Sequence, residues 1–247
     1  EELASYLVEI TEVCLRTKDP SDGSDLVEKI VDQAGQKGTG LWTVVSALQM
    51  GASVPTIYAA LNGRVMSSMK PQRIAAASIL HGPAVKAFDL VNPADGSGPL
   101  MDAVVLACMA SYAQGMELLR IASAEHDYNL NMPSIAQIWK GGCIIRARLL
   151  KRIQDAFNAN PQLENLLIDP WFADQVNRRL PGLAKVVAGA AEAGIPVPCL
   201  SSTLDYINSY RTARLPQNLV QAMRDCFGSH TYQRVDQEGT FHTEWLD

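Results

Sequence analysis

Apolar residues recur every three or four positions along most of the chain, the spacing that places them on one face of an α-helix. In the first segment this spacing joins Leu3, Leu7, Ile10 and Cys14, and it stops where proline, glycine and serine cluster at 20–24. The pattern predicts an all-α fold. The helices expected after the first cover residues 42–51, 55–65, 71–80, 100–126, 134–157, 162–168, 170–193, 198–213 and 217–227.

Prolines and glycines give the expected boundaries of these helices. Pro55 and Pro71 each open a helix, Pro216 begins the last one, and Gly228 ends it. Residues 91–99 contain two prolines and two glycines, so this stretch is predicted to be a loop.

The longest helix is expected at 100–126, where small residues such as Ala107 and Ala110 would let a neighbouring helix approach closely. Ser134 is predicted to cap the next helix, which runs to about Phe157. That helix would carry a basic stripe on a solvated face, made of Arg146, Arg148, Lys151 and Arg152.

An internal repeat relates two stretches at a constant offset of 143 residues. Residues 44–55 and 187–198 both read as a helix, a glycine stop and a proline restart, with Gly51 matching Gly194. The apolar register continues beyond them, since Leu61 falls on Leu204. The helical set is therefore predicted to be duplicated, with repeat halves at about 1–90 and 100–230.

The segment 34–43 combines glycine, lysine and threonine directly before an apolar helical run. It reads Ala-Gly-Gln-Lys-Gly-Thr-Gly-Leu-Trp-Thr. Glycine backbone can approach a phosphate closely, and the free N–H groups of a helix start favour negative charge. Lys37 and Thr39 add a cation and a hydroxyl. Taken alone, the segment is either an anion site or a plain turn before a helix.

Composition and charge narrow the function classes. The net charge of -5 gives no general reason to bind nucleic acid, so cations for an anionic ligand must be local. No uninterrupted apolar run approaches the roughly 20 residues that span a bilayer, and the start Glu-Glu-Leu is unlike a signal peptide. We therefore expect a cytoplasmic protein without a membrane partner. The five cysteines are widely spread, which indicates reduced core thiols and no metal site.

Further motifs follow in order along the whole chain. They are Asn-Gly-Arg-Val-Met-Ser-Ser around Arg64, Ser-Tyr-Ala-Gln-Gly at 111–115, Trp-Lys-Gly-Gly-Cys-Ile-Ile-Arg at 139–146, Gly-Ile-Pro-Val-Pro at 194–198, the run 215–232 and the terminal Phe-His-Thr-Glu-Trp-Leu-Asp. Together with the Gly-rich loop they resemble the C-terminal, all-helical domain of the 6-phosphogluconate dehydrogenase family. One position departs from that family, because Leu41 stands where a second lysine is usual, and the local positive charge is lower.

The resemblance implies a set of substrate-binding residues. Lys37, Thr39 and Arg64 would contact 6-phosphogluconate, with Arg64 on its phosphate. Arg224 and His230 would reach into the neighbouring subunit's active site, so that a homodimer shares each site. Read without the family, Arg64 is a surface arginine, and the two residues near a helix end complement its dipole or make surface hydrogen bonds.

The resemblance also implies the parent reaction, in which NADP oxidises 6-phosphogluconate, followed by decarboxylation and tautomerisation to ribulose 5-phosphate. No Gly-x-Gly-x-x-Gly follows an apolar strand in these 247 residues. The family's catalytic lysine and glutamate lie upstream of the point matched by Glu1. We therefore expect no catalytic residue, no NADP bound by this chain alone, no metal and no turnover. A second hypothesis stays open, a free-standing non-catalytic helical protein that dimerises or binds sugar phosphates.

The predicted organisation is one helical substrate-binding and dimerisation domain at 1–230 and a tail at 231–247. The tail contains Tyr232, Phe241 and Trp245 amid polar residues and predicts no helix, so it needs a surface to lie on. In the family the tail threads through the partner subunit. The alternative is a flexible terminus.

Overall fold

The computed structural model describes residues 3–82 and 97–246, and the regular structure in these ranges is helical, which confirms the all-α fold. Two short 3-10 segments, Leu26–Lys29 and Leu166–Ile168, accompany the α-helices. The α-helices of these ranges are α1 (Tyr6–Arg16), α2 (Thr39–Gln49), α3 (Pro55–Ser68), α4 (Lys70–Ala77), α5 (Pro99–Glu125), α6 (Met132–Ile138), α7 (Leu149–Ala159), α8 (Pro170–Glu192), α9 (Pro198–Tyr210) and α10 (Gln217–Gly228).

Most predicted helices are confirmed, and proline stands at or beside the start of several of them. Pro55 and Pro198 occupy the first position of a helix, where the missing N–H costs no hydrogen bond, Pro71 is the second residue of α4, and Pro216 is the N-cap residue of α10. Pro99, predicted to end a loop, is the first residue of α5. α5 is the longest helix of the described ranges, with 27 residues. The loop expected at 91–99 falls largely outside the described residues.

The single helix predicted at 134–157 is wrong. Two helices, α6 and α7, stand in its place, and Gly142 between them has φ of 65°, which an α-helix does not contain. Ser134 is not the cap either, because the side chain of Asn131 accepts the Ser134 N–H at 2.9 Å. The helix expected at 162–168 shrinks to the 3-10 turn at its end.

The break between α6 and α7 pairs with the beginning of the chain. The Tyr6 N–H donates to the Arg146 carbonyl at 3.1 Å, and the Arg148 N–H donates to the Ala4 carbonyl at 3.0 Å. The Arg146 guanidinium lies 3.7 Å from the centre of the Tyr6 ring. The predicted basic stripe therefore does not exist as one helical face, because Arg146 is held in this pairing.

The core is built around α5 and α8, which pack against each other along their length. Leu106 and Met109 of α5 and Phe172 and Leu183 of α8 are fully buried. Asp102 and Arg179 form an ion pair of 2.7 Å between the two helices. By length and composition α5 would also qualify as a membrane span, but the core helices of globular proteins meet the same criterion. In the structure, 44% of its most apolar 18-residue window is buried.

The buried amide of Gln114 on α5 supports the start of α3. Its Oε1 accepts the N–H groups of Thr56 at 3.1 Å and Ile57 at 3.4 Å, and its Nε2 donates to the Thr56 hydroxyl at 3.0 Å. The Thr56 hydroxyl in turn lies 3.1 Å from that of Thr203 on α9. The N-cap residue of α3, Val54, makes no capping hydrogen bond with its side chain. Gln114 therefore supplies the acceptor that the first N–H groups of α3 need.

The 143-residue repeat recurs in the backbone hydrogen bonds. The Ala52 N–H donates to the Ala47 carbonyl and the Ile195 N–H to the Ala190 carbonyl, both at 2.8 Å. Between each pair lies a glycine with a left-handed backbone, at φ of 67° for Gly51 and 68° for Gly194. This is one helix-ending motif built twice at matching positions. The wider repeat halves, 1–90 and 100–230, stay a prediction.

The chain divides into two compact units, Glu1–Tyr206 and Ile207–Asp247. The first contains the α5 and α8 core, and the second contains α10 and the residues after it. The domain boundary predicted at 230 and 231 stays a prediction.

Replacing Gln114 by methionine should destabilise the first unit by about 2 kcal/mol or more, because it leaves two N–H groups at the start of α3 without an acceptor. Chemical denaturation followed by circular dichroism measures the loss. The matched control is Gln137→Met, since Gln137 is exposed and bonded only to Lys140 in the described ranges. Equal stability of the two variants would show that the Gln114 amide does not hold α3.

Candidate functional site

The five residues expected to bind substrate fall in both compact units. Lys37, Thr39 and Arg64 belong to the first unit, whereas Arg224 and His230 belong to the second. All five are exposed.

Lys37 and Thr39 flank the start of α2. Gly38 between them is the N-cap residue, with φ of 98°, and Thr39 is the first helical residue. In the described ranges, neither the Lys37 ammonium nor the Thr39 hydroxyl has a hydrogen-bond partner; the Thr39 carbonyl accepts the Thr43 hydroxyl at 2.9 Å. Both side chains therefore remain available to an anion beside the N–H groups of a helix start.

Arg64 lies in the last two turns of α3, and its backbone is tied to the beginning of the Gly-rich segment. The Ser67 hydroxyl donates to the Arg64 carbonyl at 2.7 Å and accepts the Ala34 N–H at 2.9 Å. Within the part of the chain that the structure describes, the Arg64 guanidinium has no ion-pair partner. One serine thus joins the Gly-rich segment to the helix that presents a free arginine.

Asp32 anchors the residues just before this segment, a contact that the sequence did not predict. Its carboxylate accepts hydrogen bonds from Lys70 and Arg73, and Arg73 Nη2 also donates to the Ser67 carbonyl at 3.2 Å. The hydrogen bond from Lys70, followed by that from Arg73, lowers the pKa of Asp32 to about 2. α4 therefore fixes Asp32 and Ser67 of α3 fixes Ala34, while the Lys37 ammonium has no partner in the described ranges.

Arg224 and the residue after His230 are joined through one glutamine. Gln221 Oε1 accepts a hydrogen bond from Arg224 Nη1 at 3.0 Å, and Gln221 Nε2 donates to the Thr231 carbonyl at 2.6 Å. Because a guanidinium has five N–H donors, Arg224 keeps most of them for another acceptor.

His230 follows the end of α10 between two residues with left-handed backbone. Ser229 has φ of 50° and Thr231 has φ of 59°, a conformation that non-glycine residues seldom adopt. The His230 ring folds back over Gly228, where an added Cβ would lie 2.9 Å from Nε2. It meets the edge of Phe227 with 5.9 Å between ring centres. The ring therefore has a defined position although it is exposed.

Asp225 is the buried residue of α10, and its carboxylate forms hydrogen bonds with residues that follow the helix. Its Oδ1 accepts the Thr231 N–H at 2.8 Å and lies 2.9 Å from His242 Nδ1. Its Oδ2 accepts the Thr243 N–H at 3.1 Å and the Trp245 indole N–H at 2.8 Å. Asp225 was not predicted, although the spacing of apolar residues in α10 places it opposite the apolar face.

The pKa values of this pair give the pH range over which the residues after α10 are held. Burial acts to raise the pKa of Asp225, but the bonds from His242, Trp245, Thr243 and Thr231 outweigh it and hold that pKa below its usual range. The hydrogen bond to Asp225 raises the pKa of His242, which Glu244 also faces at 3.4 Å. The carboxylate contribution is lost as pH falls through the lowered pKa, and the imidazolium contribution is lost as pH rises through the raised one.

The three aromatic residues of the predicted tail pack on one another. Tyr232 and Phe241 exchange both backbone hydrogen bonds, at 2.8 and 2.9 Å, in an isolated antiparallel bridge. The Tyr232 ring centre lies 6.2 Å from those of both Phe241 and Trp245. Residues 231–245 therefore return to α10 of the same chain through Asp225 and this cluster.

α10 leaves its apolar side chains exposed. Phe227 is 73% exposed, and the others are Leu219, Val220 and Met223. Surface helices usually bury the apolar face. In α10 the buried position belongs to a carboxylate instead, so this apolar face has no cover within its own unit.

The remaining sequence expectations concern cysteines, metals and Leu41. All five cysteines are free thiols, but Cys14 and Cys226 are exposed, so the expectation that all are core residues is wrong. The described residues contain no group of histidine, cysteine and carboxylate side chains arranged to hold a metal ion. Leu41 is exposed in the first turn of α2.

Comparison with known proteins identifies the family. Residues 1–245 match the family described as "6-phosphogluconate dehydrogenase, C-terminal domain". The decarboxylating 6-phosphogluconate dehydrogenase of Synechocystis is 52% identical over 250 residues, which cover 100% of this chain and 51% of that protein. The NADP(+)-dependent decarboxylating enzyme of Bacillus subtilis is 45% identical over 245 residues, covering 99% of this chain and 52% of that protein.

A solved structure agrees with these sequence matches. The 6-phosphogluconate dehydrogenase of Plasmodium falciparum, described in its apo form and in complexes with its cofactor NADP+ and its substrate 6-phosphogluconate, superposes with a TM-score of 0.91 at 43% identity. The match covers 98% of this chain and 52% of that one. The chain thus spans about half the length of the relatives it matches, and it belongs to the 6-phosphogluconate dehydrogenase family as its C-terminal, all-helical domain.

Proposed function

We propose that this chain is the substrate-binding and dimerisation half of an NADP-dependent, decarboxylating 6-phosphogluconate dehydrogenase. The observation that carries the proposal is the family match over residues 1–245, together with an exposed polar or charged side chain at each position where the family resemblance expects a substrate ligand. The reaction proposed for the whole enzyme is oxidation of 6-phosphogluconate, decarboxylation and tautomerisation to ribulose 5-phosphate.

The proposed part of these residues in that reaction is to bind and orient the substrate. A guanidinium can give a phosphate two parallel hydrogen bonds, which suits Arg64 and Arg224 to the phosphate of the substrate. Lys37 and Thr39 would add a charge and a hydroxyl at the start of α2. Such contacts lower the barrier by fixing the substrate against the reacting groups rather than by moving its protons.

NADP does not fit the residues of this chain. Dinucleotide sites of this kind need a Gly-x-Gly-x-x-Gly turn after a strand, and the sequence contains none, while the described residues contain isolated bridges rather than strands. We therefore assign no cofactor contact and no catalytic residue to these 247 residues. The N–H groups at the start of α2 are assigned to the substrate.

We further propose a cytoplasmic homodimer in which Arg224 and His230 of one subunit complete the site of the other. The exposed apolar face of α10 supports this, because Leu219, Val220, Met223 and Phe227 lie beside both residues on the same helix and cap. A partner subunit that covers this face would meet Arg224 at its edge.

The chain alone should not reduce NADP with 6-phosphogluconate, because the residues for cofactor binding and proton transfer are not among these 247. Joining it to the N-terminal half of the Synechocystis relative should produce NADPH, measured by absorbance. The intact Synechocystis enzyme is the positive control. A folded, dimeric chimera that binds NADP without turning over substrate would contradict the proposed function, and it would favour a non-catalytic binding protein.

Substitution of the proposed phosphate ligands should weaken binding of 6-phosphogluconate to the active enzyme. Arg224→Ala should cost about 1.5–3 kcal/mol, the usual range for a hydrogen bond to a charged group. Arg64→Ala and Lys37→Ala should act in the same direction, by calorimetry or KM. The control is Arg178→Ala, since Arg178 is an exposed arginine paired with Asp174. Unchanged affinity in all three variants would remove the basis for the site.

The chain should sediment as a dimer at micromolar concentration even without a cofactor domain, because the α10 face needs cover. Deletion after Ser229 should weaken association, and so should Leu219→Ser combined with Val220→Ser, which leaves the tail intact. Comparing the two separates the tail from the helix face. A monomer with the tail intact would show that neither holds a pair together.

A further inference from the structure

Asp225 holds the backbone on both sides of His230 through two different groups. Its main-chain carbonyl accepts the Ser229 N–H at 2.9 Å, and its Oδ1 accepts the Thr231 N–H at 2.8 Å. Gln221 fixes the other side of the Thr231 peptide by donating to its carbonyl. His230 thus lies between the N–H groups of Ser229 and Thr231, which are both held by hydrogen bonds to α10.

This support acts against the local preference of the chain. Left-handed backbone at a non-glycine residue persists only where the surroundings determine it, and His230 lies between two such residues. In the described structure, the hydrogen bonds to Asp225 and Gln221 hold Ser229 and Thr231 in this left-handed conformation. Without the side-chain bonds to Thr231 its backbone would relax, and the His230 ring would leave its place over Gly228 and beside Phe227.

The same carboxylate binds residues farther along the chain. Its remaining partners, His242, Thr243 and Trp245, lie 17 to 20 residues away in sequence. A carboxylate offers about four acceptor sites, and Asp225 uses one for each donor. The position of the tail and the position of His230 are therefore set by one side chain.

We propose that Asp225 is a positioning residue for substrate binding, one that orients His230 and couples it to the tail without touching the substrate. The inference rests on the proposed function, in which His230 contacts 6-phosphogluconate. Gln221 extends the arrangement to Arg224, since it accepts from that arginine and donates to Thr231. The two proposed ligands of the second unit thereby share one frame.

The test is a double-mutant cycle between Asp225 and His230 in the active enzyme of which this chain is proposed to form half. Asp225→Ala removes all four acceptor contacts and should raise KM and the dissociation constant for 6-phosphogluconate at least tenfold, with kcat within about threefold of wild type. Asp225→Asn keeps the side-chain shape and leaves two of the four donors unpaired, so it should give a smaller rise in the same direction.

The His230→Ala background separates positioning from a merely structural role. If Asp225 acts through His230, Asp225→Ala and Asp225→Asn should each raise the dissociation constant less than twofold in the His230→Ala background. Both substitutions should still lower the melting temperature there. Asp236→Asn is the matched control, because Asp236 is an exposed tail carboxylate paired with Arg234, and affinity should not change. Sedimentation at the assay concentration checks that each variant remains a dimer.

Three results would overturn the inference. They are unchanged affinity in Asp225→Ala, equal effects of the Asp225 substitutions with and without His230, and a loss of affinity that only follows dissociation of the dimer. Failure of the proposed function looks different, because then the wild-type protein itself neither binds nor turns over 6-phosphogluconate.

Discussion

The amide of Gln114 is the contact on which the position of α3 in the first unit depends. It lies on α5, the long core helix, and satisfies two N–H groups and a hydroxyl at the start of α3. An amide can donate and accept at once, which a hydrophobic side chain of the same size cannot do. The direction of α3, and with it the place of Arg64, follows from a polar contact in the core. Thr203 of α9 joins the same group, so the helices restarted at Pro55 and Pro198, which correspond at the 143-residue offset, meet at this point.

In the second unit a buried carboxylate, that of Asp225, takes the place that the Gln114 amide has in the first, because it accepts hydrogen bonds from several separate segments. α10 buries a carboxylate toward its own tail and turns four apolar side chains outward. A buried charge is tolerated only when hydrogen bonds replace the water that it loses, and the four donors to Asp225 do so. The consequence is a helix whose polar contacts are internal and whose apolar surface is exposed. This arrangement is what the proposed homodimer needs, because the helix is ordered by its own unit before another subunit covers it.

The sequence predicts the helices well where the signal is local. Proline starts and glycine stops act within one turn, so α3, α8 and α9 begin and end within a few residues of their predicted limits. The 143-residue offset was visible because the same glycine and proline positions recur, and the hydrogen bonds match it. The helix predicted at 134–157 failed because apolar spacing continues through Gly141 and Gly142, whereas residues 4–6 pair with 146–148 across the whole first half of the chain.

The candidate site divides in the same way. Lys37, Thr39, Arg64, Arg224 and His230 came from family resemblance, and the structure places each on an exposed helix start, helix end or cap. The residues that support them were not predicted, because Asp32, Ser67 and Asp225 receive their partners from 6 to 41 positions away. Spacing of apolar residues carries no information on such pairs.

The supporting residues and the proposed ligands differ in a way that suits the proposed binding of a phosphate. Asp32 and Ser67 fix residues 32–34 against α3 and α4, yet the Lys37 ammonium and the Arg64 guanidinium keep no partner in the described ranges. Cations already paired within the protein would have to break those pairs before meeting a phosphate, and mobile backbone would lose entropy on binding. A braced backbone with unpaired cations avoids both costs. The same division holds at the end of α10, where Asp225 and Gln221 fix the peptides and Arg224 retains most of its donors for an anion.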